Sequence, residues 1–214
     1  MDTEQEELEA LHKWWKENGR QVAVGLVLGL GGVFGWTTWQ SHVETSAEEL
    51  SVVYQNMVDT AARDKHGEAA EQADRIIAEH PDSDYAALAG LLGAKSALAA
   101  GRADDTIRLL DWVIENAARV EFRDVARIRK AQLLLDEGEQ AAGLEILAKV
   151  GTTAFAATVD ELRGDILVED RNPQSAAKAY AAALASDTIN SSMRARVQMK
   201  LDDLGHDDGL GASQ

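Results

Sequence analysis

Histidines, adjacent carboxylates and glycine turns are the residues here with chemical potential, and their spacing does not assemble a site. The histidines, His12, His42, His66, His80 and His206, stand singly with no pair at i, i+4, and there is no cysteine to complete a tetrahedral zinc set. The lack of cysteine also excludes a disulfide framework and thiolate chemistry, and fits cytosol and periplasm equally. Asp82 and Asp84 flank Ser83 just after Pro81, but no twelve-residue calcium loop with its glycine and closing glutamate follows, so they read as helix capping. Gly29-x-Gly31 has the outline of a phosphate turn but lies inside an apolar run with no strand before it, and no Gly-x-Ser-x-Gly nucleophile turn is present. The residues point to no enzyme, no cofactor, no metal and no small-molecule substrate.

The elements that would position any site are helical. Ala, Leu, Asp and Glu are the commonest helix-compatible residues, with only 2 Pro and 5% aromatics, which favours an all-α fold. A length of 214 residues suits one folded unit plus an appendage. The 37 acidic against 21 basic side chains give a formal charge of −16, a field that repels nucleic-acid phosphates and anionic lipid headgroups.

The appendage is the first 43 residues. Between Arg20 and Glu44 no Asp, Glu, Lys or Arg occurs, and Val22 to Trp39 reads VAVGLVLGLGGVFGWTTW. As a helix this run rises roughly 27 Å, against a hydrocarbon core of roughly 30 Å. Trp14 and Trp15 precede it and Trp36 and Trp39 close it, at the headgroup levels where indole rings collect. A buried core helix would explain the apolar run but not the paired tryptophans. Lys13, Lys16 and Arg20 lie before the span, and the next Lys or Arg is Arg63, so the N-terminus is expected in the cytoplasm and the rest in the periplasm. The competing reading is a cleaved signal peptide, with Thr45-Ser46-Ala47 as its processing site, but the acidic, tryptophan-bearing start and the long apolar run favour an anchor. Gly25, Gly29 and Gly32 share a helix face, and Gly31 and Gly35 form another i, i+4 pair. These faces could dock a second transmembrane helix, or simply reflect how common glycine is in such helices. The expected organisation is a cytoplasmic tail over 1–20, a transmembrane anchor over 21–43, a helical domain over 44–204 and a flexible tail over 205–214.

Beyond residue 44, amphipathic stretches are broken at His66-Gly67, Pro81-Asp82, Gly101-Arg102, Glu137-Gly138, Gly151-Thr152 and Asn172-Pro173. Aligning Gly67, Gly101, Gly138 and Arg171 gives spacings of 34, 37 and 33, the period of tetratricopeptide helix hairpins. Seven residues before each turn stand Thr60, Ala94, Ala131 and Gly164, and nine after it Ile76, Leu110, Leu147 and Tyr180. A small residue faces a large apolar one in each unit, as close helix packing requires. Five after each turn, Gln72, Thr106, Gly143 and Ala176 form a less regular small column. The prediction is a tetratricopeptide-like solenoid closed by a capping helix from Ser191 to Leu204. Its inner groove suits an extended peptide or a partner's helix, and the domain's acidity favours a basic or neutral one, although solubility alone accounts for much of the charge.

The run ENGRQVAVGLVLGLGGVFGWTTWQSH over 17–42 resembles the anchor of the YfgM family, the ancillary subunit of the SecYEG translocon of Gram-negative bacteria. Further echoes are Tyr54-Gln55-Asn56, Glu161-Leu162-Arg163-Gly164-Asp165 and Gln198-Met199-Lys200-Leu201. The resemblance implies association with SecYEG in the inner membrane, a PpiD-type periplasmic chaperone as partner, and a role around emerging, unfolded secreted chains. Two other classes stay open at this level. One is a membrane-anchored regulator that holds a cytoplasmic signalling protein through residues 1–20. The other is an envelope hydrolase, for which no catalytic constellation exists.

Overall fold

The computed structural model describes residues 14–16, 19, 29, 36 and 48–210, with 206–210 given by backbone alone. The chain divides into two compact units, Met1–Val52 and Val53–Gln214. Of the expected anchor, only Gly29 and Trp36 fall among the described residues. Arg20, Gly25, Gly31, Gly32, Gly35 and Trp39 lie outside them. Among the described residues no helix is long and apolar enough to cross a membrane. Trp14, Trp15 and Trp36 are exposed, as is Lys16, and the Trp14 and Trp15 rings sit 6.5 Å apart. Open space surrounds Gly29.

The second unit is all-helical among its described residues. The helices are α1 (48–62, of which 53–62 belong to this unit), α2 (His66–Glu79), α3 (Asp84–Ala99), α4 (Ala103–Asn116), α5 (Val120–Asp136), α6 (Gln140–Leu147), α7 (Ala156–Glu169), α8 (Pro173–Ala185) and α9 (Ser191–Leu210). A single 3-10 turn, Thr153–Phe155, leads into α7. From α2 onward each helix packs on its sequence neighbours, and the alternate helices α3, α5 and α7 also touch one another. This is the nearest-neighbour packing of a solenoid. Helix α9 runs to Leu210, past the expected end at 204.

The hairpins share one turn. Asp64, Gly101, Gly138 and Arg171 have φ of 59°, 73°, 80° and 56°, all in the left-handed region. At each, the turn residue's N–H donates to the carbonyl three back: Asp64 to Ala61, Gly101 to Leu98, Gly138 to Leu135 and Arg171 to Val168. The next N–H donates five back: Lys65 to Thr60, Arg102 to Ala97, Glu139 to Leu134 and Asn172 to Leu167. This pair of bonds satisfies carbonyls that a helix end otherwise leaves open. The first turn residue is therefore Asp64, while Gly67 lies inside α2 with nothing near it. The spacings become 37, 37 and 33.

This shift of register makes every column buried and one of them uniformly small. Seven before the turn stand Met57, Ala94, Ala131 and Gly164, and nine after it Ala73, Leu110, Leu147 and Tyr180. All are buried. The first hairpin exchanges its volumes, Met57 facing the small Ala73, while the other three pair a small residue with a large one. Five after the turn, Ala69 replaces Gln72 beside Thr106, Gly143 and Ala176, so the small column loses its exception. Thr60 is half-buried, its hydroxyl donating to the Asn56 carbonyl and accepting from Gln72 Nε2. Ile76 is buried twelve after the turn, in register with Val113, Val150 and Ala183.

Caps and clusters complete the frame. Ser83, between the two aspartates read as caps, accepts from Ala86 N–H at the start of α3, and Asp84 places its charge in that helix's first turn. Asn172 caps α8, with Pro173 in the first turn. Ile128, Ala131, Leu147, Val159, Leu162 and Ile166 form one core between α5, α6 and α7. Ala157, Ala176, Tyr180, Ala183, Met193 and Val197 form another, in which α9 covers the last hairpin as a capping helix.

The shared turn makes a prediction. A side chain at φ > 0 costs about 1–2 kcal/mol, offset in part by the extra freedom of glycine in the unfolded chain. Gly101→Ala and Gly138→Ala, whose Cβ atoms would meet open space, should each lower stability in urea unfolding by about 1 kcal/mol, and Arg171→Gly should raise it by up to about 1 kcal/mol. Equal stability of all three variants would contradict the shared turn geometry.

Candidate interaction groove

The first helices of successive hairpins present one face to an open groove. Its central part, a cavity of about 590 Å³, lies between α3, α5 and α7 and includes Lys95, Leu98, Arg129, Leu133, Asp136 and Leu162. Toward α9 it continues into a second cavity of about 540 Å³, which shares Leu135, Asp136 and Asp165 with the first and adds Val168, Glu169, Tyr180 and Lys200. A third, of about 430 Å³, runs beneath α9 past Gln132, Glu161, Met193 and Arg196. Ala94 and Leu110, read from the sequence as packing residues, also line the first cavity, so the groove floor is the outer edge of the hairpin core.

Arg129 crosses the groove floor by donating from Nη1 to the Leu91 carbonyl of α3 at 2.9 Å. Burial pulls its guanidinium pKa below the ordinary value, with the Tyr54 phenol acting in the opposite sense. On the outer face, Arg108 makes a two-pronged bond to Asp74 at 2.8 and 3.0 Å, tying α4 to α2 across one repeat.

The α9 end of the groove is held by a charged cluster. Glu161, 6% exposed, accepts from Arg196 Nε at 2.6 Å and from its Nη2 at 2.7 Å, and from Lys200 Nζ at 2.9 Å. Lys200 also donates to both oxygens of Asp165, at 2.7 and 2.8 Å, and the Tyr180 hydroxyl donates to Asp165 Oδ1 at 2.8 Å. Glu161 and Asp165 are i, i+4 on α7, and Arg196 and Lys200 are i, i+4 on α9, so two helix faces of opposite charge meet. Burial alone would push the Glu161 carboxyl up, but the hydrogen bonds and charges of Arg196 and Lys200 outweigh it and hold the group below its ordinary 4.5. Burial, then the bond to Asp165, pushes the Tyr180 phenol up. Between these charges Gly164 receives the Tyr180 ring: a Cβ at that position would overlap it. The Glu-Leu-Arg-Gly-Asp run thus acts as a seat for the capping helix.

A second carboxylate had no signal in the sequence. Asp124 on α5 is fully buried and accepts from Gly151 N–H at 3.1 Å, Thr152 N–H at 2.8 Å, Thr152 Oγ1 at 2.6 Å and Arg127 Nη1 at 2.6 Å. It pins the connection from α6 to α7. Burial would raise its pKa, and these donors more than reverse that, leaving it below 3.8. Apart from Arg127 on the same helix, its partners lie 27 and 28 residues away, beyond any local pattern. The histidines are not gathered: among the described residues no group of three or more His, Asp or Glu is placed to hold a metal ion.

Four hairpins with one turn geometry, a capping helix and a groove along their first helices define an all-helical repeat protein. The chain belongs to the tetratricopeptide repeat-like domain family, whose profile matches residues 12–206. It is similar to the ancillary SecYEG translocon subunit of Escherichia coli, 29% identical over 203 residues that cover 95% of this chain and 97% of that one. It is also similar to the proteins of the same name from Neisseria gonorrhoeae, 29% identical over 202 residues, and Haemophilus influenzae, 26% over 201, each match covering 94% of this chain and 97% of the relative. The resemblance to the YfgM family carried by 17–42 and 161–165 therefore holds along nearly the whole chain. No solved structure matches the chain.

Two predictions come from the α9 seat. Gly164→Ala should cost about 1–3 kcal/mol in urea unfolding, and adding Tyr180→Leu should recover part of that loss because the ring is the obstacle. Strictly additive losses would show that the ring is not the obstacle. A carboxyl whose pKa is depressed on folding contributes stability above its unfolded pKa and loses it as the pH falls through the folded value. Stability should therefore fall as the pH drops below 4.5. Glu161→Gln should be less stable at neutral pH by about 1–3 kcal/mol and show a shallower acid limb. Parallel pH profiles for the two proteins would contradict the assigned cluster.

Proposed function

We propose that the chain is an ancillary subunit of the SecYEG translocon: a single-span inner-membrane protein with residues 1–20 in the cytoplasm, the span at 21–43 and the repeat unit in the periplasm. It acts without catalysis. The span sets the repeat unit beside the translocon, and the groove holds a PpiD-type periplasmic chaperone or a segment of an emerging secreted chain.

The observation that carries this reading is the open groove across α3, α5 and α7, floored by a packed core. Such a surface gives area and side-chain variety for holding a polypeptide. Support also comes from relatives that carry the translocon-subunit name and align over 94–95% of this chain. The apolar, tryptophan-flanked run at 22–39 and the placement of Lys13, Lys16 and Arg20 before it support the span and its direction.

The test is a mild-detergent affinity purification of the full-length protein, crosslinked in its own membranes, with copurifying proteins identified by mass spectrometry. Translocon subunits together with a periplasmic chaperone are the expected yield. Recovery of cytoplasmic proteins alone would overturn both partners and orientation. In the same assay, replacing Gly25, Gly29 and Gly32 by Leu should lower translocon recovery if their shared face docks on another span. Unchanged recovery would move the docking role to the repeat unit.

A further inference from the structure

The turn register exposes a pattern that packing uses only in part. Three residues before each turn, on the first helix of each hairpin, stand Ala61, Leu98, Leu135 and Val168. Three of them border the groove: Leu98 is 51% exposed and Val168 37%, while Leu135 is half-buried, resting on the α5–α7 core with one side and bordering both main cavities with the other. An exposed leucine or valine alone needs no explanation. Apolar side chains in the same register of successive repeats form a continuous stripe across α3, α5 and α7, and a stripe that the core does not cover marks an interaction surface.

The next residues along α5 and α7 are Asp136 and Glu169, both exposed and both lining the cavity beside Leu135 and Val168. Among the described residues neither has an ion-pair or hydrogen-bond partner. The cation nearest in that cavity, Lys200, is already shared between Glu161 and Asp165. Lys95 and Arg129 line the first cavity together with Leu98 and Asp136, Arg129 being bonded to the Leu91 carbonyl, and neither lines the second cavity beside Val168 and Glu169. In the second cavity the stripe therefore offers apolar surface edged by two carboxylates that are not engaged in an ion pair.

We propose that this part of the groove binds a basic amphipathic polypeptide segment. The segment's apolar side chains lie on Leu98, Leu135 and Val168, and a lysine or arginine extends its aliphatic stem over Leu135 and Val168 to bring its head to Asp136 and Glu169. Long basic side chains combine these two needs, an apolar stem and a charged tip, and a fork of guanidinium donors can serve two carboxylates at once. The inference deepens the functional reading, on which its biological setting rests, by stating the chemistry of the occupant.

The probes are three synthetic helix-forming peptides: leucine on one face with lysine elsewhere, the same peptide with glutamate for lysine, and the same with serine for leucine. Each is titrated by fluorescence anisotropy into full-length protein in phosphatidylcholine nanodiscs, with empty discs as reference. The leucine–lysine peptide should bind above the empty-disc signal and the other two should bind at least about tenfold more weakly. Leu135→Ser with Val168→Ser should weaken the leucine–lysine peptide by about tenfold, and Asp136→Asn with Glu169→Gln by about threefold or more, with a smaller salt dependence. Thermal unfolding by circular dichroism identifies any variant that has lost its fold, and the charge-neutralised pair, on exposed positions, provides the second route. Equal affinity of wild type and both variants, binding no stronger than to empty discs, or equal binding of the leucine–glutamate or serine–lysine peptide would overturn the proposal. Because the titration needs no translocon, its failure is separate from a failure of the purification described above.

Discussion

Every feature of the repeat unit depends on one left-handed residue per hairpin. Asp64, Gly101, Gly138 and Arg171 each close a helix with two backbone hydrogen bonds and start the next helix at a set angle. Because the turns match, residues at a given distance from them occupy the same place in every hairpin. The small-to-large pairs, the small column five residues on, and the apolar stripe three residues back all follow from that alignment. Moving the first turn by three residues, from Gly67 to Asp64, replaces half-buried Thr60 and Gln72 by buried Met57 and Ala69, so that every column is buried, while the first hairpin inverts its large and small partners. Two of the four positions carry side chains in a conformation that glycine adopts at lower cost, so the geometry is demanded by the packing rather than by the local residue.

The second constraint is the end of the stack. A solenoid exposes an apolar face at its last repeat, and α9 covers it with Met193 and Val197 while Arg196 and Lys200 engage Glu161 and Asp165. Partly buried carboxylates are stable here only because two cations and a tyrosine hydroxyl surround them. The same logic applies to Asp124, whose carboxylate replaces the partners that the α6–α7 connection would otherwise find in water. In a chain of net charge −16, these paired carboxylates are distinct from Asp136 and Glu169, which face the groove and, among the described residues, are not engaged in an ion pair.

The hairpin architecture was legible in the sequence because it is local: the turns at Gly101, Gly138 and Arg171, the spacing near one repeat, and the Gly164 and Tyr180 columns need only the numbering. The error at Gly67 has a physical cause. Glycine is the usual left-handed residue, and Asp64 takes that conformation only because the flanking helices require it. Between the two aspartates read as caps, Ser83 is the residue that accepts the backbone N–H. The roles of Asp124, Arg196 and Lys200 were not legible, since the partners that fix those roles lie 27 to 39 residues away and carry no periodic signal. Glu-Leu-Arg-Gly-Asp was visible as a motif, but its work, seating α9, required the contact itself. The groove positions that matter most, Leu98, Leu135 and Val168, align on turns the numbering already gave, but a shared register does not say which positions the core leaves uncovered; that needed their exposure.

The account rests on the inner face of the hairpins being the side that meets a partner. The most direct measurement places a photo-crosslinking amino acid at Gln132, in the groove, and separately at Arg108, on the outer face of α4, in the full-length protein in bacterial membranes. The account predicts discrete crosslinked products from Gln132, mapping by mass spectrometry to segments rich in basic and apolar residues, and none of the same products from Arg108. Identical products from both positions, or products from Arg108 alone, would contradict it.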